Sequence, residues 1–204
     1  MNAFTPRVSD NADMRLLVLL TLAATLPLRA DLEPAKKLAA AARAQIGVTT
    51  LYDPAYVKLA YPDGDVPTER GVCTDVVIRA FRAMGLDLQK LVHEDMARAF
   101  SKYPQQWGLK SPDANIDHRR VPNLMRFFER AGKKLGVTKS PADYKPGDLV
   151  TCLVPPHLPH IMLVSDTPSP DDPHRFQVIH NIGAGARMED RLFDFEITGH
   201  FRYW

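Results

Sequence analysis

Apolar residues recur at steps of three and four in the N-terminal half of the chain, the spacing that gives an α-helix one buried face. The clearest repeat follows Cys73 and stops at Gly85, which predicts a helix between them. Its predicted buried residues are Val76, Val77, Ala80, Phe81 and Met84. An earlier helix is predicted from Asp31, and its buried side is Leu38, Ala41, Ala42 and Ile46. Two later helices are predicted, around Leu88 and from Pro122.

The periodicity changes after the turn signature Lys145-Pro146-Gly147-Asp148. Short β-rich runs follow, separated by Pro, Asp and Gly, and they predict strands at 149–154, 160–165, 176–181 and 193–203. Helices followed by strands are typical of an α+β domain in which helices pack on an antiparallel sheet. Two irregular stretches remain, one at 48–71 and a second that runs to Val121. Long irregular segments within a compact domain tend to carry function.

Residues 1–30 differ in character from the rest of the chain. Met14-Arg15 precedes an apolar run at 16–26, and the small residue Ala30 stands before a polar one. This order is typical of a secretory signal that is cleaved on export. We therefore predict a signal segment at 1–30, with Met14 as an alternative start, and a single exported, periplasmic domain at 31–204. An ordinary N-terminal helix is the alternative interpretation.

The composition limits the classes of partner. A chain of 204 residues with 45% hydrophobic and 25% charged residues is ordinary for one soluble domain. The formal net charge of +2 gives no sign of a nucleic-acid-binding surface. No apolar run in the mature chain is long enough to span a bilayer. We expect a monomer with no nucleic acid partner and no membrane span.

Cys73 stands where a glycine-ended loop gives way to the predicted helix. Unpaired backbone N–H groups and the helix dipole favour an anion there, so we expect a lowered thiol pKa and a nucleophile. The alternative is a small buried residue at the start of a core helix. The only other cysteine is Cys152. In an oxidising compartment the two could form a disulfide, which would abolish a thiol mechanism, or Cys152 could be a buried core residue.

Four histidines, His157, His160, His174 and His180, lie in the strand half of the chain. His160 begins one predicted strand and His180 lies near the end of the next, so antiparallel pairing can place them side by side. A thiol nucleophile needs a base and a polar group that fixes the tautomer of this base, here His180 or Asn181. The alternative is a metal site built from the histidines. Since no His-Glu-x-x-His motif is present, we expect no metal and no cofactor.

The segment Asp117-His118-Arg119-Arg120 places four ionisable residues before the helix that Pro122 opens. One interpretation is a solvated turn in which Asp117 pairs with an arginine, because such surface pairs are common. The other is a substrate clamp formed by Asp117, His118 and Arg119, because arginine presents a fork suited to a peptide carboxylate.

The order of these features resembles the papain-like fold in its compact NlpC-type form. The resemblance is carried by Cys73 at a helix start, by Gly147-Asp148-Leu149-Val150 and by His160-Ile161-Met162-Leu163-Val164. His180 matches the third polar residue of that family, and Tyr52 resembles the upstream tyrosine on the oxyanion side. Segments 71–77, 117–124 and 180–185 also resemble the bacterial YijF-type family of unknown function. The usual Asp-Cys-Ser-Gly is replaced here by Val72-Cys73-Thr74-Asp75.

The resemblance implies an exported cysteine hydrolase that cleaves amide bonds, with peptidoglycan peptides as substrate. Cys73 would attack the carbonyl, His160 would move the proton and His180 would orient His160. Tyr52 and the backbone N–H of Cys73 would stabilise the oxyanion, and Asn181 would support the site. The alternative is a non-catalytic exported binding module that keeps the fold.

Overall fold

The computed structural model describes Met1 and residues 26–204, with side chains from residue 33 onward. Most of the predicted signal segment at 1–30, including the alternative start at Met14, lies outside the described residues. None of the helices in the described part of the chain is long and apolar enough to cross a membrane.

Four α-helices form the first layer of the fold. Their buried sides come from the three- and four-residue spacing of apolar positions, most clearly in the helix that begins at Cys73. The last helix begins with Pro122 in its first turn, where a missing N–H costs no hydrogen bond. The helices are α1 (Leu26–Arg43), α2 (Cys73–Ala83), α3 (Leu88–Ala99) and α4 (Val121–Arg130).

The second layer is a six-stranded antiparallel sheet with the strand order β3-β8-β4-β5-β6-β7. Its strands are β3 (Lys134–Leu135), β4 (Leu149–Val154), β5 (Leu158–Pro168), β6 (Phe176–Asn181), β7 (Ala186–Glu189) and β8 (Glu196–Phe201). A separate parallel pair joins β1 (Leu51–Tyr52) to β2 (Arg70–Gly71), just before α2. The α+β class predicted from the sequence is confirmed.

Both faces of the sheet are buried, and alternate residues of β5 enter different cores. Ile161 and Leu163 pack with the helices, whereas Met162 and Val164 pack on the other face. The second core is closed by residues from the loops, including Tyr144. Burial on both faces explains why β5 reads as a continuous apolar run rather than an alternating one.

Three details of the predicted elements are wrong. Helix α1 begins at Leu26, earlier than Asp31, and ends at Arg43, so Ile46 lies beyond it and is exposed. Ala39, which was not among the predicted buried residues, is fully buried in the core. The strand predicted at 193–203 is shorter, because residues 193–195 pack against the second core as a loop. The short strands β1, β2, β3 and β7 were not predicted, because two to four residues carry too little periodic signal.

Candidate active site

Helix α2 begins at Cys73, and the acidic residue two positions later caps it. Val72 precedes the helix and offers no side-chain acceptor, so its own N–H donates to Asp75 Oδ2 at 2.6 Å. Asp75 approaches the chain so closely that a Cβ at Gly71 would lie 3.0 Å from its carboxylate. The loop therefore needs a glycine two residues before the cysteine, and the acid that follows the cysteine fixes the first helical turn.

Arg119 holds Asp75 from the opposite side of this turn. Its Nε and Nη2 atoms donate to the two carboxylate oxygens of Asp75, both at 2.9 Å, and both side chains are buried. Arg119 also donates to the backbone carbonyls of Ala55 and Asp53, and its own carbonyl accepts from Thr74 Oγ1 at 3.0 Å. Because these donors are occupied within the protein, Arg119 positions the Cys73 helix, and its fork is not free to clamp a substrate.

The neighbours of Arg119 are buried as well. Asp117 accepts a hydrogen bond from the Asp113 N–H at 2.5 Å, and its other carboxylate oxygen lies 3.6 Å from Arg120. Burial lowers the pKa of His118 to about 4, so its ring is neutral near pH 7. The solvated turn predicted for this segment is therefore wrong, although the predicted pairing of Asp117 with an arginine is present.

A cleft of about 320 Å³ opens beside the start of α2. Cys73 lines it but is only 4% exposed, so the thiol forms part of its floor. The irregular stretches of the sequence supply much of its wall. Among its lining residues are Tyr52, Trp107, Arg120, Pro122 and Pro159.

His160 and His180 meet on neighbouring strands, as the sequence predicted. His160 Nε2 lies 2.8 Å from His180 Nδ1, and both rings are buried. His180 Nε2 in turn lies 3.0 Å from Glu189 Oε2 on β7. Asn181 points to the other face of β6, where its amide donates to the Gly71 carbonyl at 2.9 Å. Asn181 thus ties the sheet to the cysteine loop, and His180 is the residue that contacts His160.

The carboxylate of Glu189 determines which ring nitrogens carry protons. An ionised carboxylate only accepts, so His180 donates from Nε2 and its Nδ1 carries a lone pair. That lone pair accepts from His160 Nε2–H, which leaves a lone pair on Nδ1 of His160. Nδ1 of His160 makes no hydrogen bond to any residue in the described part of the chain. The chain of hydrogen bonds therefore presents an imidazole ready to accept a proton.

The thiol lies against the backbone of β5, one residue from His160. The Ile161 N–H is directed at the Cys73 sulfur, because pairing of β5 with β6 begins only at Leu163. His160 pairs with Cys152, whose side chain belongs to the second core, whereas the Ile161 side chain is on the helix side with Cys73. Among residues 26–204, the sulfur thus contacts β5 next to His160, but the His160 side chain belongs to the other face of the sheet and makes no hydrogen bond to the thiol.

The pKa of Cys73 moves opposite to the prediction. Burial raises it to about 11, and the negative charge of Asp75 adds to this, while the N–H groups of Ile161 and Thr74 act against it. The stabilisation of a thiolate by the helix N-terminus is therefore smaller than the cost of removing the sulfur from water. Burial, followed by the charges of His180 and Arg191, lowers the pKa of His160 to about 3. The resting site holds a neutral thiol and a neutral imidazole.

Tyr52 and Cys152 take different places relative to this site. Tyr52 pairs with Gly71 across the small parallel sheet and lines the cleft with its side chain 43% exposed. Burial, with the charges of Cys73 and Asp75, raises its pKa, so the phenol stays protonated and can donate into the cleft. Cys152 is fully buried in the second core, and both cysteines are free thiols. Cys152 is therefore a core residue, as the sequence suggested in one of two interpretations.

The histidine-based metal site is not assembled in the part of the chain that the structure describes. His157 and His174 are exposed, and no group of three His, Cys, Asp or Glu side chains is placed to hold an ion there. His160 and His180 instead contact each other.

Sequence reasoning missed Glu189, which completes the chain of hydrogen bonds behind His160. It lies on β7, a strand of four residues after the Gly183-Ala184-Gly185 turn. The glycine turn after β6 indicates that the chain reverses there, but the strand that follows is too short for its alternation to identify Glu189. Trp107 was missed as a cleft residue because its segment has no periodicity.

These features define an α+β protein that has a cysteine at a helix N-terminus in the floor of a cleft and a hydrogen-bonded pair of histidines on two adjacent strands of its sheet. The chain belongs to the family described as Domain of unknown function (DUF1287), whose family model matches residues 39–203. It is 58% identical over 167 residues to "Uncharacterized protein YijF" of Escherichia coli (strain K12), an alignment that covers 82% of this chain and 80% of that protein. The resemblance to the YijF-type family is thus confirmed. No solved structure matches the chain.

Proposed function

We propose that this protein is an exported cysteine hydrolase of amide bonds, built on a papain-like fold of the NlpC type, and that its substrates are peptidoglycan peptides. One observation carries the proposal: Cys73 lies at the floor of a cleft, against the N–H of Ile161, the residue next to His160, whose hydrogen bond to His180 leaves its Nδ1 as an acceptor. A nucleophile, a base and a group that orients the base are the parts that acyl transfer requires.

The first half of the reaction forms a thioester. As the Cys73 sulfur attacks the substrate carbonyl carbon, its proton passes to Nδ1 of His160 and the carbonyl oxygen becomes an oxyanion. The carbon–nitrogen bond then breaks, and the proton on His160 passes to the departing amine. His180 Nδ1 accepts from His160 Nε2–H at 2.8 Å and stabilises the imidazolium formed between these two steps.

The second half of the reaction restores the enzyme. A water molecule gives a proton to His160 as it attacks the thioester carbon, and the carbon–sulfur bond breaks. The sulfur recovers the proton from His160, and the product leaves as a carboxylic acid. The Tyr52 hydroxyl and the Cys73 N–H are the donors proposed for the oxyanion, because both border the cleft at the attacking sulfur.

The neutral resting state determines how this nucleophile is activated. With the pKa of Cys73 near 11 and that of His160 near 3, proton transfer must accompany attack rather than precede it. Sγ and Nδ1 must also approach each other, and catalytic hydrogen bonds in free enzymes commonly tighten only on substrate binding. The proposed reaction therefore requires the His160 ring to turn toward the helix side of the sheet, at an end of β5 that pairs with β4 and not with β6 within residues 26–204.

Incubation with purified peptidoglycan, followed by mass analysis of released fragments, tests the proposal. Wild-type protein is expected to release peptide fragments, and Cys73→Ala and His160→Ala are expected to reduce this by at least about 100-fold. Cys152→Ala and His157→Ala are the matched controls, since one removes the other thiol and the other removes an exposed imidazole. Fragments released equally by Cys73→Ala would refute a thiol mechanism.

A non-catalytic binding module is the second candidate, favoured by the burial of the Cys73 thiol and by its raised pKa. In that case wild-type protein binds peptidoglycan fragments and leaves them intact, and Cys73→Ala binds them equally well. The same incubation separates the two candidates, because only the hydrolase changes the mass of the fragments.

A further inference from the structure

We propose that Arg120, stacked on Trp107, forms a carboxylate-binding subsite in the cleft that contains Cys73. The inference rests on the proposed function in one respect, namely that the ligand of this cleft is a peptide. It adds the chemical class of that peptide, which carries a free carboxylate close to the amide bond presented to the thiol.

The charges that line the cleft have one sign. Of the described residues, Arg119 and Arg120 are the arginines that line the cleft, and no Asp or Glu among them contributes to the lining. Arg119 is neutralised by the buried carboxylate of Asp75 and uses its other donors on backbone carbonyls. Among the described residues, Arg120 is therefore the cation of the cleft that remains available to a ligand.

The guanidinium of Arg120 is held in place without being saturated. Its central carbon lies 4.1 Å from the centroid of the Trp107 ring, and Nη1 is buried without a hydrogen bond, so Nε and Nη2 form the edge of the fork that a ligand can reach. The nearest acid is Asp117, with Oδ1 at 3.6 Å from Nη1, beyond hydrogen-bond distance. Asp113 and Tyr56 are further polar neighbours of Arg120. The guanidinium makes no hydrogen bond to any residue within the described range 26–204.

A carboxylate is the group that best fits this arrangement. Its two oxygens match the planar fork of arginine with two parallel hydrogen bonds, and a prepositioned fork loses little entropy on binding. Pro54, Val121 and Pro122 give the rest of the cleft apolar walls, which suit the short carbon skeleton that joins a carboxylate to a peptide bond. A phosphate fits less well, because it carries two charges. The other described arginine of the cleft, Arg119, is already paired with Asp75.

Direct binding to the Cys73→Ala protein tests the subsite without turnover. The probes are the tripeptide Ala-Glu-Lys, which has free carboxylates, and Ala-Gln-Lys-amide, which keeps both amino groups but has no carboxylate. The titration is followed by calorimetry and by tryptophan fluorescence. The chain has two tryptophans, and Trp204 stacks on Phe81 in the core, so a change in fluorescence on binding reports on Trp107.

We expect the carboxylate peptide to bind at least about tenfold more tightly than the amide peptide. Arg120→Gln should abolish this preference, and Arg120→Lys should restore part of it, because a point charge replaces the fork. Arg126→Gln, on an exposed position of α4, is the matched control and should retain the full preference.

The subsite proposal is overturned if Arg120→Gln keeps the preference, or if the two peptides bind equally to the protein that retains Arg120. Failure of both peptides to bind also overturns it. None of these results depends on hydrolysis. Intact peptidoglycan after incubation with wild-type protein would therefore refute the proposed enzyme activity while the carboxylate preference remained measurable.

Discussion

Arg119 and Asp75 form a two-point ion pair inside the protein, with both hydrogen bonds at 2.9 Å and neither side chain more than 3% exposed. The pair joins the segment that precedes α4 to the first turn of α2, the turn that begins with Cys73. In the usual Asp-Cys-Ser-Gly pattern a glycine stands two positions after the cysteine, where this chain has Asp75. A glycine there would leave the buried charge of Arg119 without a partner. The departure from Asp-Cys-Ser-Gly is thus explained by a partner on a distant segment.

Arg119→Met should destabilise the fold by roughly 3–5 kcal/mol, because it leaves the Asp75 carboxylate buried without its partner. Urea unfolding followed by circular dichroism measures this. Arg126→Met is the matched control. Arg126 lies 3.0 Å from Glu129, a distance similar to that of the buried pair, but this pair is exposed. Its loss should therefore lower the free energy of unfolding by less than about 1 kcal/mol.

Restoring the balance of charge provides a check on the same pair. The double variant Asp75→Asn with Arg119→Met should recover much of the lost stability, since no charge stays buried and the amide oxygen can still accept from the Val72 N–H. Equal costs for Arg119→Met and Arg126→Met would show that the buried pair does not hold the turn.

Glu189→Gln should shift the tautomer of His180 and slow the proposed hydrolysis by roughly 10- to 100-fold, less than loss of the base itself. A glutamine amide can donate to His180 Nε2, which places the proton on Nδ1 and turns Nδ1 from an acceptor into a donor facing His160. Nitrogen chemical shifts of the two rings report this change directly, whether or not the protein turns over substrate.

Glu196→Gln is the matched control, since this exposed glutamate on β8 makes no hydrogen bond to either histidine among the described residues. The nitrogen chemical shifts of His160 and His180 should therefore be unchanged in this variant. If the histidine spectra of the Glu189→Gln protein match those of the wild type, Glu189 does not set the tautomer of His180.

The sequence predicts the fold where periodic signals are long. The repeat after Cys73 and the runs at 149–154 and 176–181 correspond to α2, β4 and β6. Contacts between distant segments carry no such signal. Nothing local to Arg119 indicates that its partner lies 44 residues earlier, and β7 is too short to reveal Glu189 as a neighbour of His180.

The site shows the same division between local and tertiary effects. Strand alternation predicts that His180 and Asn181 point to opposite faces, but it leaves open which of them meets His160, and the choice of His180 comes from the resemblance to the NlpC-type fold. The pKa of Cys73 is not predictable, because a helix N-terminus is visible in the sequence whereas the degree of burial depends on how the chain closes over the sulfur. Burial is the larger effect here, so the pKa of Cys73 is raised and not lowered as predicted.

Cys152→Ala should lower the free energy of unfolding by about 1 kcal/mol and leave the proposed hydrolysis unchanged, because it removes one small group from the second core. Urea unfolding and the peptidoglycan assay measure the two effects on the same preparation. A loss of activity as large as that of Cys73→Ala would reverse the assignment of the two cysteines.

The alkylation rate of Cys73 should rise about tenfold per pH unit from pH 7 to pH 10, because the thiolate is the reactive form and burial raises its pKa to about 11. Iodoacetamide labelling of the Cys152→Ala protein, followed by mass spectrometry, measures this with a single thiol present. The urea-unfolded chain is the matched control, and its rate should level off near the ordinary thiol pKa of about 8.5.

The same shift links the pH to the stability of the fold. Between pH 9 and about 11 the folded thiol keeps its proton while the unfolded thiol loses it, so the stability that it contributes is present below pH 9 and is lost as the pH rises through this range. Cys73→Ala should lack this component of the alkaline loss, and comparison of its urea midpoints with those of the Cys152→Ala protein at pH 8 and pH 10.5 measures the difference. A labelling rate that levels off below pH 8 would instead mean a thiolate already formed in the resting site, and the concerted proton transfer to His160 would have to be abandoned.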